Sequence, residues 1–275
     1  MEHDANAHMT QRPAREPRAS SDKPPIRRRR THSRWASELV AASYNIHGGI
    51  GTDDRFDPYR IATVIRELKA DIVGLQELDG RSGVDQLHYL RDRLDGMEAV
   101  PGPTLQGHGG DYGNGLLTRL PVRSVRHVDL SVAQREPRGA LDVFLELGAG
   151  KPLRVVVTHL GLRRWERARQ IDKLLDALAD AAEPLLLLGD INDWWPWSRS
   201  LRRLRRVFGG QRWVASFPSD LPFVALDQVL VRPAAALRQL ERFSTPLSRL
   251  ASDHLPLRAR LDLEPLAEPG DFRHA

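Results

Sequence analysis

The residues able to do chemistry in this chain sit where apolar runs break off into polar clusters. Five such clusters are Tyr44-Asn45-Ile46-His47-Gly48-Gly49, Leu75-Gln76-Glu77, Thr158-His159-Leu160, Leu188-Gly189-Asp190-Ile191-Asn192 and Ser252-Asp253-His254. A sixth, Leu226-Asp227-Gln228-Val229, puts a carboxylate at the start of a strand-like run. Each has a structural reading when taken alone. Glu77 and Asp190 could cap turns or helices, His159 could be a hydrogen-bonded core histidine, and Ser252-Asp253-His254 could be a turn before Pro256. Together they carry more. Strand ends in a sandwich converge on one rim, and acidic groups gathered there repel unless a cation or a substrate holds them. The set contains no evident covalent nucleophile, which points to direct attack by water. With no cysteine in the chain, disulfides, thiolate zinc sites and cysteine nucleophiles are excluded.

The elements that must position these groups alternate between strand and helix. Residues 39–46 read as a strand stopped by Gly48-Gly49. Pro58 opens a helix with Ile61, Val64, Ile65 and Leu68 at helical spacing. Residues 72–76 form a short buried strand, and 84–94 a second helix. Strands are expected at 115–118, 122–130, 140–147 and 153–159. Residues 163–182 read as an amphipathic helix with Trp165, Ala168, Ile171, Leu175 and Leu178 on one face. Further strands fall at 185–188, around 225–231 and around 255–261. Two βα-rich halves flanking strand-rich runs imply two sheets packed face to face and covered by helices.

Of 275 residues, 41% are hydrophobic and 28% charged, as in an ordinary globular protein with a sizeable core. The net charge of +5 is not spread evenly: residues 1–34 hold nine Lys/Arg and four Asp/Glu, so the remainder balances at 32 of each. The basic character therefore belongs to the N-terminal stretch, and the domain itself carries no nucleic-acid signature of charge. Residues 1–36 are expected to form a disordered basic arm, either a solvated tail or a segment drawn to anionic lipid or nucleic acid. No run reaches the roughly 18 apolar residues of a membrane span. Arg27–Arg30 is followed by Thr31-His32-Ser33-Arg34 rather than an apolar stretch, so an export signal is not expected and a cytoplasmic location is.

The ordered set Asn, Gln-Glu, Thr-His, Gly-Asp-x-Asn, Asp, Ser-Asp-His resembles the motifs of the endonuclease/exonuclease/phosphatase superfamily. The likeness runs from about Glu38 to Leu263. It implies a four-layer α/β/β/α sandwich of two packed mixed or antiparallel sheets, over a catalytic domain of residues 37–263 followed by a tail of 264–275. It also implies a hydrolase, a phosphodiesterase dependent on Mg²⁺ or Mn²⁺, acting on nucleic acid or a phospholipid headgroup. By the same resemblance Glu77, Asn45 and Asp253 are the metal-facing residues, supplying hard oxygen donors. Asp190 orients or deprotonates the attacking water, and Asn192 donates to a phosphate oxygen. His254 contacts the phosphate and Asp227 orients that histidine. His159 lies against the phosphate or leaving group, with Asn114 and His47 also on the substrate side. Where many nucleases of the family carry an aspartate, this chain has His47, so a second metal site of that kind is not implied. A phosphate-binding protein without catalysis is the alternative on the same fold.

Substrate choice is left to loops. Asp193-Trp194-Trp195-Pro196-Trp197 follows Asn192, and Arg199, Arg202, Arg203, Arg205 and Arg206 come next. Such a segment can stack bases and bind phosphates, or seat in an anionic membrane interface. In the structural reading the tryptophans cover the core edge and the arginines are the solvated face of a helix carrying Leu201, Leu204 and Val207. A monomer is expected.

Overall fold

A computed structural model describes residues 37–107, 109–209 and 212–267. The expected basic arm, residues 1–36, and positions 268–275 of the expected tail lie outside the described residues. Two similar βαβ units organise the rest. In the first, β1 (Glu38–Asn45) and β2 (Ile72–Asp79) pair in parallel, joined through α1 (Pro58–Leu68). Asp57 starts α1 by accepting from the Tyr59 and Arg60 amides, Pro58 suits the first turn, and Lys69 in the left-handed conformation ends it. Its apolar face, Ile61, Ala62, Val64, Ile65 and Leu68, is buried. In the second unit, β7 (Lys151–His159) and β8 (Leu185–Asp190) are parallel, joined through α3 (Arg164–Ala177).

The remaining strands extend each unit antiparallel. These are β3 (Glu98–Leu105), β4 (Tyr112–Thr118), β5 (Val122–Asp129), β6 (Gly139–Leu147), β9 (Asp227–Arg232), β10 (Leu237–Arg242) and β11 (Leu257–Asp262). The first sheet runs β10-β11-β1-β2-β4-β3 and the second β5-β6-β7-β8-β9. Leu39, Ile72 and Leu116 of one sheet share a core with Val143, Val155, Leu188 and Val231 of the other. On the outer face of the first sheet lie α1, α2 (Gln86–Arg91) and α5 (Pro246–Ala251), through Leu68, Leu90 and Ala251. On the outer face of the second lie α3 and α4 (Arg199–Phe208), through Ile171, Leu174, Leu201, Leu204 and Phe208. The four-layer α/β/β/α sandwich is thus the observed architecture.

Several expectations shift, each for a local reason. The second helix begins at Gln86, because the Asp85 side chain accepts the His88 amide and caps it there. Strand β3 was not expected, since it contains Pro101 and Pro103; it is an edge strand paired only with β4, where prolines are tolerated. β10 is the opposite edge, short and rich in charge. Residues 264–267, expected as tail, belong to α6 (Leu263–Ala267), whose Leu266 is buried. Helix α3 is shorter than 163–182; of its expected face Ile171 and Leu178 are buried and Leu175 packs against the core, while its N-terminal end differs. It buries Glu166, Arg167, Gln170, Ile171 and Leu174 while Trp165 stays exposed. The buried polar residues serve the preceding turn: Gln170 Oε1 accepts the Gly161 amide at 2.8 Å, and Arg167 donates to Leu162 O at 2.7 Å.

The sheets approach closely at Gly74 of β2, where an added Cβ would lie 2.8 Å from Leu188 Cβ and 3.2 Å from Val157 Cγ2. Gly74→Val is expected to lower stability by roughly 1–3 kcal/mol in urea denaturation. Gly148→Ala, which meets nothing within 4 Å, should change it by less than about 0.5 kcal/mol. Equal effects would mean that the sheets do not close on Gly74.

Candidate active site

Strand register brings the polar ends together. His159 at the end of β7 lies beside Asp190 at the end of β8, and Asp190 lies opposite Asp227 at the start of β9. In the other sheet Asn45 pairs with Gln76, next to Glu77. The β2–β4 pairing slips between Leu75 and Leu78, and Glu77 takes φ +57° within that bulge. A bulge of this kind re-aims a side chain that strict alternation would place elsewhere. Asn192 (φ +54°) and His47 (φ +47°) also hold the left-handed conformation. Non-glycine residues held in this conformation cluster at functional sites.

The two sheets meet at Asn45. Its Nδ2 donates to Glu77 Oε1 at 2.9 Å and to Asp190 Oδ2 at 3.1 Å, while its Oδ1 accepts the His47 amide at 3.0 Å. Asp190 Oδ1 accepts the Asn192 amide at 2.8 Å. Asp190 Oδ2 stands 3.7 Å from Nε2 of both His159 and His254. His254 Nδ1 sits 2.8 Å from Asp227 Oδ2, which also accepts from Ser216 Oγ at 2.5 Å. Ser252 holds the final motif in place, its hydroxyl donating to Asn45 O at 2.8 Å and accepting the His254 amide at 3.2 Å.

The two imidazoles carry opposite electrostatics. Burial opposes charge on His254, but Asp227, through its field and hydrogen bond, outweighs it together with Asp190 and Asp253, and the pKa is pushed up to about 10. His159 is held well below the usual range by burial and by the charges of Arg138 and His254. Asp190 is raised to about 6, chiefly by burial and then by Asp227. At neutral pH one ring is an imidazolium, the other is neutral, and a deprotonated Asp190 lies between them.

Asn45, Glu77, His159, Asp190, Asn192, Asp227 and His254 therefore form one cluster, as the sequence leads one to expect. Three expected site residues stand apart from it. Asp253 is half-exposed and lies 3.9 Å from His47 Nδ1. His47 is half-exposed, its Nδ1 at 3.2 Å from Ile50 O. Asn114 donates to Gly139 O at 3.1 Å, the same carbonyl that Thr158 Oγ1 reaches at 3.1 Å. Asn114 Oδ1 is buried without a hydrogen-bond partner among the described residues. It borders a cavity of about 480 Å³ shared with Tyr112, Gly102 and Gln86.

Sequence reasoning missed Arg138. Its Nη1 lies 2.9 Å from His159 Nδ1, and its Nη2 donates to Glu136 Oε2 at 3.3 Å. Among 41 Lys/Arg nothing marks this one out; the only hint is its place just before the apolar run of β6. A guanidinium cannot accept, so His159 Nδ1 faces a donor. Asn192 Nδ2, which also donates to Leu160 O at 2.9 Å, lies 2.9 Å from His159 Nε2, so a donor faces each ring nitrogen and the surroundings oppose protonation of the ring.

The donor set fits a hard divalent cation. Glu77 Oε1 and Asp190 Oδ2 converge on a single amide N–H₂ group, leaving two anionic oxygens around one gap. For Asn45 to contribute oxygen its amide must turn over and give up the His47 amide. Asp190, Asp227 and His254 also place one ligand atom each within 4.8 Å of one another. There, however, His254 is protonated and already paired with Asp227, so the Glu77 side suits the cation better.

Comparison with known proteins bears on the family and the fold. The endonuclease/exonuclease/phosphatase family model matches residues 42–254. YbhP of Escherichia coli K12, an uncharacterized protein, is 30% identical over 244 residues, covering 80% of this chain and 94% of that protein. An endonuclease/exonuclease/phosphatase from Bacteroides vulgatus superposes with a TM-score of 0.68 at 19% identity, over 82% of this chain and 98% of that one. A mannosyl-6-phosphatase from Bacteroides thetaiotaomicron superposes with a TM-score of 0.65 at 17% identity, over 80% and 98%. Those two structures share the fold. With more than half of the chain matched by the family model and a bacterial relative aligned over nearly its whole length, the chain belongs to the endonuclease/exonuclease/phosphatase family.

Proposed function

We propose that the chain is a divalent-metal-dependent phosphodiesterase that hydrolyses its substrate by in-line attack of water. The observation that carries this reading is Asp190, buried between a charged and a neutral imidazole and sharing one donor with Glu77. Displacement at phosphorus accumulates negative charge on equatorial and leaving oxygens, so positioning and charge compensation dominate. Glu77, with Asp190 and a turned Asn45, would hold Mg²⁺ or Mn²⁺, which would supply Lewis acidity toward the phosphoester. Asp190, ionised above about pH 6, accepts the proton of the attacking water. His254 donates from Nε2 to a phosphoryl oxygen while Asp227 holds Nδ1. His159, held in place by Arg138 at Nδ1 and Asn192 at Nε2, lines the same space as a neutral ring. Asp253, whose charge acts on His254, and His47, 3.9 Å from that carboxylate, lie on the more exposed side of the cluster.

Bis-p-nitrophenyl phosphate with Mg²⁺ or Mn²⁺ tests the reading. Turnover is expected in the wild type, with losses of roughly 10²–10⁴-fold in Glu77→Ala and His254→Ala. A preference for p-nitrophenyl phosphate would make the chain a phosphomonoesterase. A wild type inert on both with either metal would leave a phosphate-binding protein.

The charge state of His254 has its own test. Its folded pKa, about 10, exceeds the ordinary 6.5. The stability it contributes is therefore fully present below pH 6.5 and fades as pH rises toward 10. Asp190 has already titrated in the upper part of that window. The difference in denaturation free energy between wild type and His254→Gln is expected to shrink steadily from pH 7 to 10. The His254 ring resonance should titrate far above neutrality and drop in Asp227→Asn. A flat difference, or a ring that titrates normally in the wild type, would contradict the ion pair.

A further inference from the structure

Large apolar side chains left in water are costly in number, and contiguous ones mark interaction surfaces. Leu162, Trp194, Trp195, Trp197, Leu221 and Phe223 are each between 58% and 74% exposed. They stand on three connecting segments, and contacts tie those segments to one another and to the site. Arg167 donates to Leu162 O at 2.7 Å and faces Asp193 at 3.5 Å, locking the turn after β7 onto the turn after β8. Trp194, next in sequence, meets Phe217 edge-on at 6.3 Å. Phe217 O accepts the Phe223 amide at 3.0 Å, and the Phe217 ring lies 4.9 Å from the His254 ring. An apolar rim therefore begins beside His254 and extends over three loops.

The same loops are cationic. Residues 160–169, 193–206 and 212–224 contain three acids, Glu166, Asp193 and Asp220, of which the first two are buried. Arg163, Arg164, Arg169, Arg199 and Arg206 are exposed among them. Arg135 and Arg169 lie over the Trp165 ring at 5.2 and 5.4 Å. We propose that this rim docks on an anionic bilayer surface, its tryptophans and leucines in the headgroup–acyl boundary and its arginines at lipid phosphates, with the mouth of the site turned toward the membrane.

Lipid suits the surface better than single-stranded nucleic acid. The two most exposed members, Leu162 and Leu221, have no ring to stack. Trp195 and Trp197 meet each other edge-to-face, 68° apart at 5.6 Å, rather than offering parallel platforms. Arg205 is spent on Pro196 O at 2.8 Å and Arg202 on Trp197 O, so these two brace the loop instead of lining a phosphate track. The surface stands on exposure and charge and does not depend on the hydrolytic reading.

The test uses the full chain, basic arm included, and vesicles of phosphatidylcholine with or without phosphatidylglycerol. Wild type is expected to sediment with the phosphatidylglycerol vesicles and to shift its tryptophan emission to the blue. The triple variant Trp195→Ser/Trp197→Ser/Leu221→Ser should lose affinity by at least about tenfold, with melting temperature and turnover of soluble bis-p-nitrophenyl phosphate unchanged. Arg163→Gln/Arg164→Gln should weaken binding only to the anionic vesicles. A wild type that ignores vesicles overturns the proposal. So does a triple variant that binds them equally well, which would assign binding to the arm, and so does an emission shift produced by oligothymidylate but not by vesicles. Because sedimentation needs no turnover, an inactive enzyme that binds vesicles would leave this surface intact.

Discussion

Asp190 and Asp227 face each other across neighbouring antiparallel strands, and Glu77 shares with Asp190 the one Asn45 amide group. Like charges opposed in a ladder repel, and burial removes the water that would screen them. The site exists because this repulsion is offset locally. His254, 2.8 Å from Asp227 and 3.7 Å from Asp190, supplies the positive charge of the protein itself. The raised pKa of Asp190 and the raised pKa of His254 are two signs of one field. A cation beside Glu77 would complete the compensation, and oxygen donors of this kind suit a hard divalent ion.

The sandwich is built to keep these groups at fixed separation. Each half contributes a parallel strand pair ending at the same rim, and the hydroxyl of Ser252 links the last motif to the backbone of Asn45. The two histidines are then set apart by their neighbours rather than by their own chemistry. One faces a carboxylate, the other a guanidinium. That division gives one cationic ring and one neutral ring on either side of Asp190.

Much of this was legible in the sequence because it rests on short-range pattern. The apolar runs ending at Asn45, Glu77, His159 and Asp190 declare buried strands with polar tips, and the four layers follow from two βα units. What the sequence hid depends on long-range partners. Arg138 looks like any other arginine until His159 is placed beside it. The face of α3 is legible at Ile171, Leu175 and Leu178 but not at its start, where Arg167 and Gln170 are buried to hold the Gly161 turn and Trp165 is exposed, because a periodicity count ranks only apolar residues inward. The prolines of β3 conceal an edge strand. Trp194, Trp195 and Trp197, equally consistent with covering the core edge, instead point to solvent. Leu201, Leu204 and Phe208, not the tryptophans, close that part of the core, with Val207 only partly buried against it.

Crystals soaked with Mn²⁺ and measured for anomalous scattering address the cation most directly. The expected result is a peak between the carboxylates of Glu77 and Asp190, with the Asn45 amide turned to face it, and no such peak in Glu77→Gln. A peak held by Asp227 and His254 instead, or none near the rim at saturating Mn²⁺, would contradict the assignment of Glu77 as the ligand around which the site is organised.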